Sequence, residues 1–544
     1  MDGSISQHVA ERLQQLNAIG VALSAEKDTP RLLEMILLGA QRITGADGGT
    51  LYTATADGQL RFEIIRTDSM CIALGGTSGN AIEYPPIPLH DADGLPNDHM
   101  VVAYAALHER TVNIADAYSG QGFDFSGTRA FDAHSGYRSR SFLTIPMMNH
   151  DNDVIGVLQL INKLDARSGA VIAFDADDQR LAESLASQAA VALTNKRLLS
   201  ELKALFEAFI QLIAGAIDDK SPYTGGHCRR VPVLTMLLAQ AAHDTGTGPL
   251  KDFKLADNDR YELEIAAWLH DCGKITTPEY VVDKATKLET IFDRIHLVKT
   301  RYEILRRDAR IACLERQLAA APSGDATQAQ LAQQDYELLC KQLDAELAFL
   351  ERSNIGGEFM SPADQERVKN IGKRVWQDRF PTPQTVLTDN EIYNLCIARG
   401  TLTAEERAVI NNHIVATNKM LEALPFPKHL RNVPEYAGGH HERMDGKGYP
   451  RGLTREQMSV QARIMAIADI FEALTAADRP YKSAKRLSES LSILGKMKKD
   501  QHIDPDLFDI FIHSKVYLRY AEQHLTPQQI DINDPSEIPG YPFL

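Results

Sequence analysis

The sequence lacks the features of membrane-embedded, secreted and nucleic-acid-coating proteins. No stretch of its 544 residues approaches the roughly 20 consecutive apolar residues that a membrane-spanning helix needs. Its first residues show no basic segment followed by an apolar one, which is the pattern of a secretion signal. The net charge of −15 disfavours general electrostatic binding to nucleic acid or anionic lipid. We therefore predict a cytoplasmic protein that binds neither membranes nor nucleic acid polymers.

Cysteine is also scarce, and the cysteines show no CxxC spacing. Such scattered residues are typical of reduced thiols and argue against a disulfide framework. The six cysteines are Cys71, Cys228, Cys272, Cys313, Cys340 and Cys396. Apolar residues, by contrast, make up 44% of the chain, which is ample for packed cores. The length predicts two or three domains.

An apolar run at residues 266–274, AAWLHDCGK, ends in two residue types that bind metals. Because the apolar part can be buried, His270 and Asp271 are expected at the edge of a core. A buried imidazole or carboxylate needs a partner, and a divalent metal is one such partner. Taken alone, the pair is more typical of a structural contact. A metal site requires further ligands from elsewhere in the chain.

A second string, HHERMDGKGYP at residues 440–450, supplies two adjacent histidines before a glycine-rich turn. HDCGK and HHERMDGKGYP together resemble the HD-GYP family, a branch of the HD-domain metal phosphohydrolases. The resemblance covers roughly residues 206–518, interrupted by an insertion. It implies an all-helical fold, a cluster of two or three metals, and hydrolysis of the bacterial messenger cyclic di-GMP.

The resemblance also implies a set of metal ligands made of histidine and aspartate alone. These are His227, His270, Asp271, His413, His440, His441 and Asp469. Nitrogen and oxygen ligands without a thiolate favour iron or manganese, and zinc is also compatible. Some members have a glutamate four residues before the first histidine that helps to hold a third metal. Tyr223 stands there in this chain, so we expect two divalent metals per chain.

Two of these assignments have support from the local pattern. His413 follows the run LTAEE at 402–406, in which Thr403 and Glu406 form a capping box that predicts the start of a helix. His296 is the alternative to His413, and the nearness of His413 to that run favours His413. Adjacent side chains on a helix point about 100° apart, so we expect His440 and His441 to serve one metal each.

Further residues are assigned to catalysis and to substrate binding. The Asp271 carboxylate can bridge two metals. The Lys274 ammonium can contact a phosphate oxygen or protonate the leaving alkoxide. Gly446 and Tyr449 belong to the turn expected to form the pocket wall. Further on, Arg479 and Lys482 correspond to cations that face the substrate phosphates in the family. The alternative for these two is a role as solvated surface charges.

The first 180 residues predict an α+β module. Helical spacing of apolar residues covers 7–23 and 30–44, and strand patterns cover 49–54, 61–66, 141–147 and 154–161. The strings ADGGTLY at 46–52 and VIGVLQL at 154–160 resemble a GAF domain. Asn162 and Lys163, followed by Phe174 and Asp178, are similar to the signature of cyclic-nucleotide-binding GAF domains. Gln179 stands where that signature has glutamate.

The resemblance implies a small ligand, with a cyclic nucleotide as one candidate, bound in the irregular middle of the module. Candidate pocket residues there are Asn113, Asp116, Thr128, Asp132 and Tyr137. The alternative is a GAF fold that serves only as a dimerisation scaffold.

Between the two modules, residues 178–217 read as one long helix. Leu198, Leu202, Leu205, Phe209 and Leu212 are spaced alternately by four and three residues, which is a heptad seam. The seam predicts a parallel coiled coil and hence a homodimer. A single helix packed on a core would show the same stripe.

We therefore predict a multidomain chain. It comprises an α+β GAF sensor domain at 1–180, a connecting signalling helix at 181–215, an all-α HD-GYP domain at 216–518 and a C-terminal tail at 519–544. An insertion at about 301–400 is predicted to be a helical hairpin, built from 301–321 and 328–353. The predicted role of the insertion is either to form dimer contacts or to act in gating. The alternative is a passive surface addition.

The predicted activity is hydrolysis of cyclic di-GMP to linear pGpG or onward to GMP, regulated by the GAF domain. One alternative is a hydrolase of another cyclic dinucleotide, because the ligands and the phosphodiester are the same. The other is a nucleotide-sensing scaffold without turnover, which loss of a ligand or of Lys274 would favour.

Overall fold

The computed structural model describes residues 2–119, 122–220, 226–323, 326–357, 359–377, 382–477, 484–532, 536 and 538–541. These residues form two compact units, Met1–Leu205 and Phe206–Leu544. A single helix, α5 (Ala176–Lys220), contains residues of both units. No helix in the described ranges combines the length and the apolar character needed to cross a bilayer.

The first unit is an α/β module built on an antiparallel sheet. Its elements are α1 (Asp2–Ala25), α2 (Thr29–Thr44), β1 (Ala46–Ala54), β2 (Gln59–Thr67), β3 (Ile72–Gly75), β4 (Ile87–Pro88), α3 (Val101–Leu107), β5 (Val112–Ile114), α4 (Ser126–Ser135), β6 (Phe142–Met148), β7 (Val154–Leu164) and β8 (Val171–Ile172). The strand order is β3-β2-β1-β7-β6-β5, with β4 beside β2 and β8 beside β7. The predicted helices and strands are confirmed, and their ends differ by a few residues.

The core of this unit lies between the sheet and the helices α1, α2 and the start of α5. Ile36 and Leu37 of α2 pack with Leu51 of β1, Leu158 of β7 and Leu185 of α5, and all five side chains are buried. Strand β1 pairs with both β2 and β7, which places it in the interior of the sheet. Gly49 of β1 could not carry a Cβ, since that atom would lie 2.7 Å from the carbonyl oxygen of Gln159.

The residues that carry the resemblance to a GAF signature, Asn162, Lys163 and Asp178, form a structural lock. The Lys163 ammonium pairs with the fully buried Asp178 carboxylate and, at 2.8 Å, with Asp175. Arg12 of α1 donates to the other oxygen of Asp178 at 2.6 Å. The amide of Asn162 bonds to backbone groups, among them the N–H of Arg140 at 2.7 Å. These contacts tie α1, β7 and the start of α5 together.

Breaking this lock should destabilise the first unit. Asp178→Asn leaves two cations facing a neutral side chain in a buried site, which costs about 3 kcal/mol of unfolding free energy. Asp177→Asn is the matched control, because Asp177 belongs to an exposed pair with Arg180 whose loss costs about 1 kcal/mol at most. Urea denaturation followed by circular dichroism compares the two. Equal midpoints for both variants would contradict a structural role for the Asp178 pairs.

The predicted heptad seam lies on the exposed surface of α5. Its five residues, Leu198, Leu202, Leu205, Phe209 and Leu212, are between 45% and 66% exposed. The seam is therefore not explained by packing on a core within one chain, which was the alternative to a coiled coil. Dimerisation through this seam stays a prediction.

A charge placed in the seam should dissociate the predicted dimer. We expect Leu202→Asp combined with Phe209→Asp to shift the molar mass in light scattering from two chains to one, since a/d positions exclude charge. Leu199→Asp is the control, because Leu199 is equally exposed but lies beside the seam. A monomeric wild-type chain, or a dimer unaffected by the double substitution, would be the contrary result.

The second unit is almost entirely helical. Its elements are α6 (His227–Asp244), α7 (Asp257–Leu269), α8 (Glu279–Val282), α9 (Ile295–Ala320), α10 (Ala326–Asn354), α11 (Pro362–Gly372), β9 (Val375–Trp376), β10 (Gln384–Thr385), α12 (Asp389–Leu395), α13 (Ala404–Asn411), α14 (His413–Glu422), α15 (Val433–Gly438), α16 (Val460–Thr475), α17 (Leu487–Lys499), α18 (Pro505–His513) and α19 (Val516–His524). Its main core joins α6, α7, α16 and the C-terminal helices. The all-helical prediction is confirmed except for the short pair β9 and β10.

The insertion has a hydrophobic core of its own. The predicted hairpin is confirmed as α9 and α10, although α9 begins at Ile295, earlier than predicted. Tyr302, Leu343 and Leu387 are buried between the hairpin, α11 and α12. The buried Lys284 ammonium attaches this part to the neighbouring helices by bonding Asn394 at 2.9 Å and Glu406 at 2.7 Å. Whether the insertion gates, dimerises or is passive stays a prediction.

Candidate metal centre

His270 and Asp271 lie where the buried helix α7 ends. Both side chains are almost completely buried, and a 3₁₀ turn, Cys272–Thr276, follows directly. Gly273 in this turn permits the close approach of α14, because a Cβ there would lie 2.0 Å from the carbonyl oxygen of His413. The glycine of the HDCGK string therefore brings two distant segments into contact.

One group of candidate ligands surrounds an oxygen of Asp271. Nε2 of His227, from the first turn of α6, and Nε2 of His270 each lie 3.3 Å from Asp271 Oδ2. Asp469, from α16, completes this group with its Oδ1 at 3.3 Å from His227 Nε2 and 3.8 Å from His270 Nε2. Two helices and the end of a third thus converge on one point.

A second group faces the other oxygen of the same carboxylate. His413 Nε2 lies 3.2 Å from Asp271 Oδ1 and 3.2 Å from His441 Nε2. Nitrogen atoms of His413, His440 and His441 lie within 4.8 Å of one another. Asp271 therefore stands between the two groups. The structure brings together all seven ligands that the sequence suggested.

The relative orientation of the adjacent histidines differs from the prediction. His440 and His441 both belong to the second group, and the expected split of one histidine to each group is not seen. The prediction assumed helical geometry, but α15 ends at Gly438 and the two histidines lie in the turn that follows. Their rings lie 4.1 Å apart between centroids.

The outer nitrogens of three histidines are anchored to backbone carbonyls. Nδ1 of His270 bonds the carbonyl of Ala267 at 2.8 Å, and Nδ1 of His440 bonds that of Ala437 at 2.6 Å. His413 does the same with Ile410 at 2.5 Å. In all three cases the partner is three residues earlier in the chain. These bonds direct each Nε2 toward the centre.

Several inner atoms are buried without a hydrogen-bond partner among the described residues. They are the Nε2 atoms of His227, His270 and His440 and the Oδ1 atom of Asp271. A buried polar atom without a partner costs roughly 1–3 kcal/mol. Two divalent metals would satisfy these atoms, and a set of five imidazoles and two carboxylates suits such ions. The residues present therefore fit a dinuclear centre.

At three candidate ligands, Asp271, His440 and His441, the electrostatics favour the protonation states that bind metals. His227 differs, because burial opposes its cation but the Glu472 carboxylate outweighs burial and raises the pKa of His227 well above its usual value. Burial opposes the charge on Asp271, but attraction by Lys274 and His270 outweighs it and holds the pKa of that carboxyl well below its usual range. Burial, with repulsion from His441 and His270, lowers the pKa of His440 well below its usual value. Burial likewise lowers the pKa of His441 to about 4. Ionised carboxylate and neutral imidazole are the ligand forms.

Glu472 is a residue of the centre that the sequence analysis missed. Its buried carboxylate bonds Nδ1 of His227 and, at 2.6 Å, Nε of Arg230. Although burial opposes it, attraction by His227 and Arg230 lowers the pKa of Glu472 to about 2. The sequence feature that could have identified Glu472 is its position three residues after Asp469, which puts both carboxylates on the same face of α16. The carboxylate orients the His227 ring, as outer-sphere partners do in metal sites.

The glycine-rich turn lies against the second group. The buried Glu442 carboxylate accepts from the backbone N–H groups of Arg451 at 2.7 Å and Leu453 at 2.9 Å. The Tyr449 ring stacks on His441, with centroids 4.8 Å apart and planes 22° from parallel. Gly446 adopts a left-handed φ of 74°, which favours glycine. Tyr449 therefore lies beside the candidate metal ligands.

Lys274 lies at the edge of the centre. Its Nζ is 2.5 Å from Asp271 Oδ2, and although burial disfavours the cation, Asp271 and Asp469 raise the pKa of the ammonium. His296, the alternative to His413, is exposed on α9. Tyr223, Arg479 and Lys482 lie outside the described residues, so their assignments stay predictions.

The candidate GAF pocket residues make contacts within their own domain. Asp132 is buried and accepts from the Tyr118 hydroxyl at 2.6 Å and from Ser139 N at 2.8 Å. Asp116 accepts from Arg140 at 3.0 Å, and Asn113 donates to the carbonyl of Phe174 at 3.2 Å.

The two remaining pocket candidates differ in their contacts. The Tyr137 hydroxyl donates to Asp47 at 2.6 Å, and Thr128 is half-buried on α4. A ligand role for any of the five candidates stays a prediction.

Comparison with known proteins agrees with the fold, which is an α/β domain followed by a mostly helical domain. Residues 28–193 match the family model of the GAF domain, and residues 387–507 match that of the HD domain. The chain therefore contains a GAF domain followed by an HD domain, and the resemblance to the HD-GYP family is confirmed.

Three curated relatives illustrate the similarity. A 3′3′-cGAMP-specific phosphodiesterase of Vibrio cholerae is 25% identical over 375 residues, which are 64% of this chain and 51% of that protein. A second such enzyme of that organism is 37% identical over 115 residues, 21% of this chain and 26% of the relative. A cyclic di-GMP phosphodiesterase of Pseudomonas aeruginosa is 42% identical over 113 residues, again 21% and 26%. The chain thus spans about half or less of the length of these relatives.

Metal binding should stabilise the second unit. At a free Mn²⁺ concentration of about 100 times the Kd, the ion adds about 2.7 kcal/mol to the unfolding free energy, a rise of about 5 °C in the Tm of chelator-treated protein. His440→Ala should abolish most of this rise, whereas His296→Ala should retain it because His296 is exposed on α9. Differential scanning fluorimetry measures both. A rise of the same size in His440→Ala would contradict the candidate centre.

Proposed function

We propose that this protein is a metal-dependent phosphodiesterase that hydrolyses a cyclic dinucleotide, with cyclic di-GMP as the first candidate. The observation that carries the proposal is the convergence of three histidines on the two oxygens of Asp271. His440, His441 and Asp469 lie beside these three histidines. These residues would hold two divalent ions, for which iron and manganese are the preferred candidates and zinc is compatible. In such a site the metals activate water and offset charge on a phosphodiester.

The chain's own residues supply positioning and proton transfer. Lys274 stays charged beside Asp271, so its ammonium can bind a phosphate oxygen or protonate the leaving 3′-oxygen. Tyr449, stacked on His441, offers a flat apolar face next to the reacting phosphate. Arg479 and Lys482 would contact the phosphates, as the family resemblance suggests. Arginine suits this role because it binds phosphate through two parallel hydrogen bonds.

The second candidate substrate is cGAMP, in which one guanine of cyclic di-GMP is replaced by adenine. The longer match to a relative named for cGAMP, over 64% of this chain, favours it, and the match to a cyclic di-GMP phosphodiesterase favours the first candidate. Both share the phosphodiester that the centre would cleave. The products would be linear dinucleotides such as pGpG, or GMP after a second cleavage.

The GAF domain would regulate this activity by binding a small ligand, with a cyclic nucleotide as one candidate. The support is the sensor-type fold and the continuous helix α5. The homodimer predicted from the heptad seam would bring two such helices together. A nucleotide-sensing scaffold without turnover is less well supported, because all seven candidate ligands and Lys274 are present.

A hydrolysis assay with metal content measured on the same sample tests the proposal. Anaerobically purified protein should convert cyclic di-GMP to pGpG and hold two metals per chain. Asp271→Asn should lose both metal and turnover. Lys274→Met should keep the metal but lose about 10²–10⁴-fold in kcat, which is the usual contribution of a proton donor.

The control for both variants is Lys196→Met, a substitution on α5 in the first unit. Parallel reactions with cGAMP decide between the two substrates by their kcat/KM values. A metal-filled protein that cleaves neither dinucleotide would overturn the proposed activity and would favour the nucleotide-sensing scaffold without turnover.

A further inference from the structure

The last turn of α5 contacts the segment that presents His227. Asp218 is only 4% exposed, and its two carboxylate oxygens accept from the backbone N–H groups of Gly226 at 3.1 Å and Cys228 at 3.2 Å. These two N–H groups flank His227, the first residue of α6. A carboxylate at a helix N-terminus satisfies unpaired donors and complements the helix dipole. Asp218 thus holds the backbone on both sides of this histidine.

The same turn contacts the segment that follows His270 and Asp271. The Lys220 ammonium donates to the backbone carbonyls of Ile275 at 2.6 Å, Thr277 at 2.7 Å and Lys274 at 3.3 Å. These carbonyls lie at the end of the 3₁₀ turn that begins directly after Asp271. Three carbonyls on one ammonium fix the path of this turn. The turn carries Lys274 and extends the segment that presents the shared carboxylate.

Asp218 and Lys220 are two residues apart on a single rigid turn. Ala214, one turn before Asp218, and Ile217, directly before it, are buried in the core of the second unit, which holds the end of α5 in place. Any displacement of this helix end therefore moves both contacts together. In the first group, Nε2 of His227 lies 3.3 Å from Oδ2 of Asp271. Asp218 contacts the backbone on both sides of His227, and Lys220 contacts the turn that follows Asp271.

We propose that the end of α5 is a positioning device for the metal centre. Asp218 holds the His227 segment and Lys220 holds the turn after Asp271, and together they set the separation of these two ligands. A shift of the helix end changes metal affinity and turnover without altering any ligand. The proposal rests on the candidate metal centre, and it is independent of which cyclic dinucleotide is cleaved. Asp218 and Lys220 are positioning residues, because neither belongs to the two ligand groups.

The chain offers a matched control for this proposal. Asp219 stands between the two residues on the same turn and is exposed. Asp219→Asn therefore removes the same charge from the same turn as Asp218→Asn, without touching the contacted segments. Lys220→Gln removes the ammonium, and Lys220→Arg retains a cation that can still donate to carbonyls. Comparing these variants separates positioning from a general effect of charge.

The test measures Mn²⁺ binding to full-length, chelator-treated protein by isothermal titration calorimetry, without substrate. Asp218→Asn and Lys220→Gln should each weaken Mn²⁺ binding by about 10-fold or more, the usual effect of removing an outer-sphere contact. Asp219→Asn should bind as the wild type does, and Lys220→Arg should recover most of the loss. Mn²⁺ affinities within twofold of the wild type in both Asp218→Asn and Lys220→Gln would overturn the proposal.

Two further readouts separate positioning from loss of folding. The Tm of the metal-free variants shows whether the fold is intact, and a variant that loses metal affinity at an unchanged Tm supports positioning. If Asp218→Asn proves unstable, Lys220→Gln with its Lys220→Arg rescue decides the matter alone. Because Mn²⁺ binding needs no substrate, a protein that cleaves neither dinucleotide still tests this proposal. With an active enzyme, kcat should fall more than KM rises.

Discussion

The constraint on which the second unit depends is the burial of one carboxylate, Asp271, among five imidazoles. Its two oxygens face different groups of histidines, at 3.3 Å on one side and 3.2 Å on the other. An ionised group in such a site is tolerated only with compensating charge or hydrogen bonds. Lys274 supplies one charge, and the remaining inner atoms are of the kind that divalent metals satisfy. The glycine at position 273 and the carbonyl anchors of the histidines all serve to bring these groups to one carboxylate.

The packing of the helices explains how the centre is held rigidly at the edge of a core. Helices α7 and α16 are largely buried in the main core. His270 and Asp271 follow the end of α7, whereas Asp469 lies within α16. The insertion has a separate core, so its roughly hundred residues interrupt the sequence without displacing the ligand-bearing helices. Lys284 joins the insertion to the ligand-bearing part of the unit, because its ammonium bonds Asn394 and Glu406. Glu406 also caps the helix that precedes His413. A long insertion is tolerated because the cost of closing a loop grows slowly with its length.

Much of the architecture was predictable because it depends on local patterns. The alternating strands of the first unit, the capping box at Thr403 and the hairpin insertion follow from periodicity and turn residues. The candidate ligand set came from the resemblance to family motifs, and the structure brings those residues together. The orientation of His440 and His441 was not predictable, because it depends on where α15 ends. Glu472, Asp218 and Lys220 were missed for another reason: their roles arise from contacts between segments far apart in the sequence or across a loop.

Helix α5 combines two surfaces of opposite character. Residues 198–212 carry an exposed apolar seam, whereas Asp218 and Lys220 near its end are engaged with backbone groups beside the metal ligands. Hydrogen bonds weaken steeply as donor and acceptor separate beyond about 3.5 Å, and a misplacement of about 1 Å in a catalytic site can cost about 10²-fold in rate. A rigid helix needs to move only by a fraction of its own pitch of about 5.4 Å to produce such a change. If the proposed positioning role holds, the contacts of Asp218 and Lys220 give helix α5 a direct physical route to the candidate metal ligands, and no long chain of intervening side chains is required.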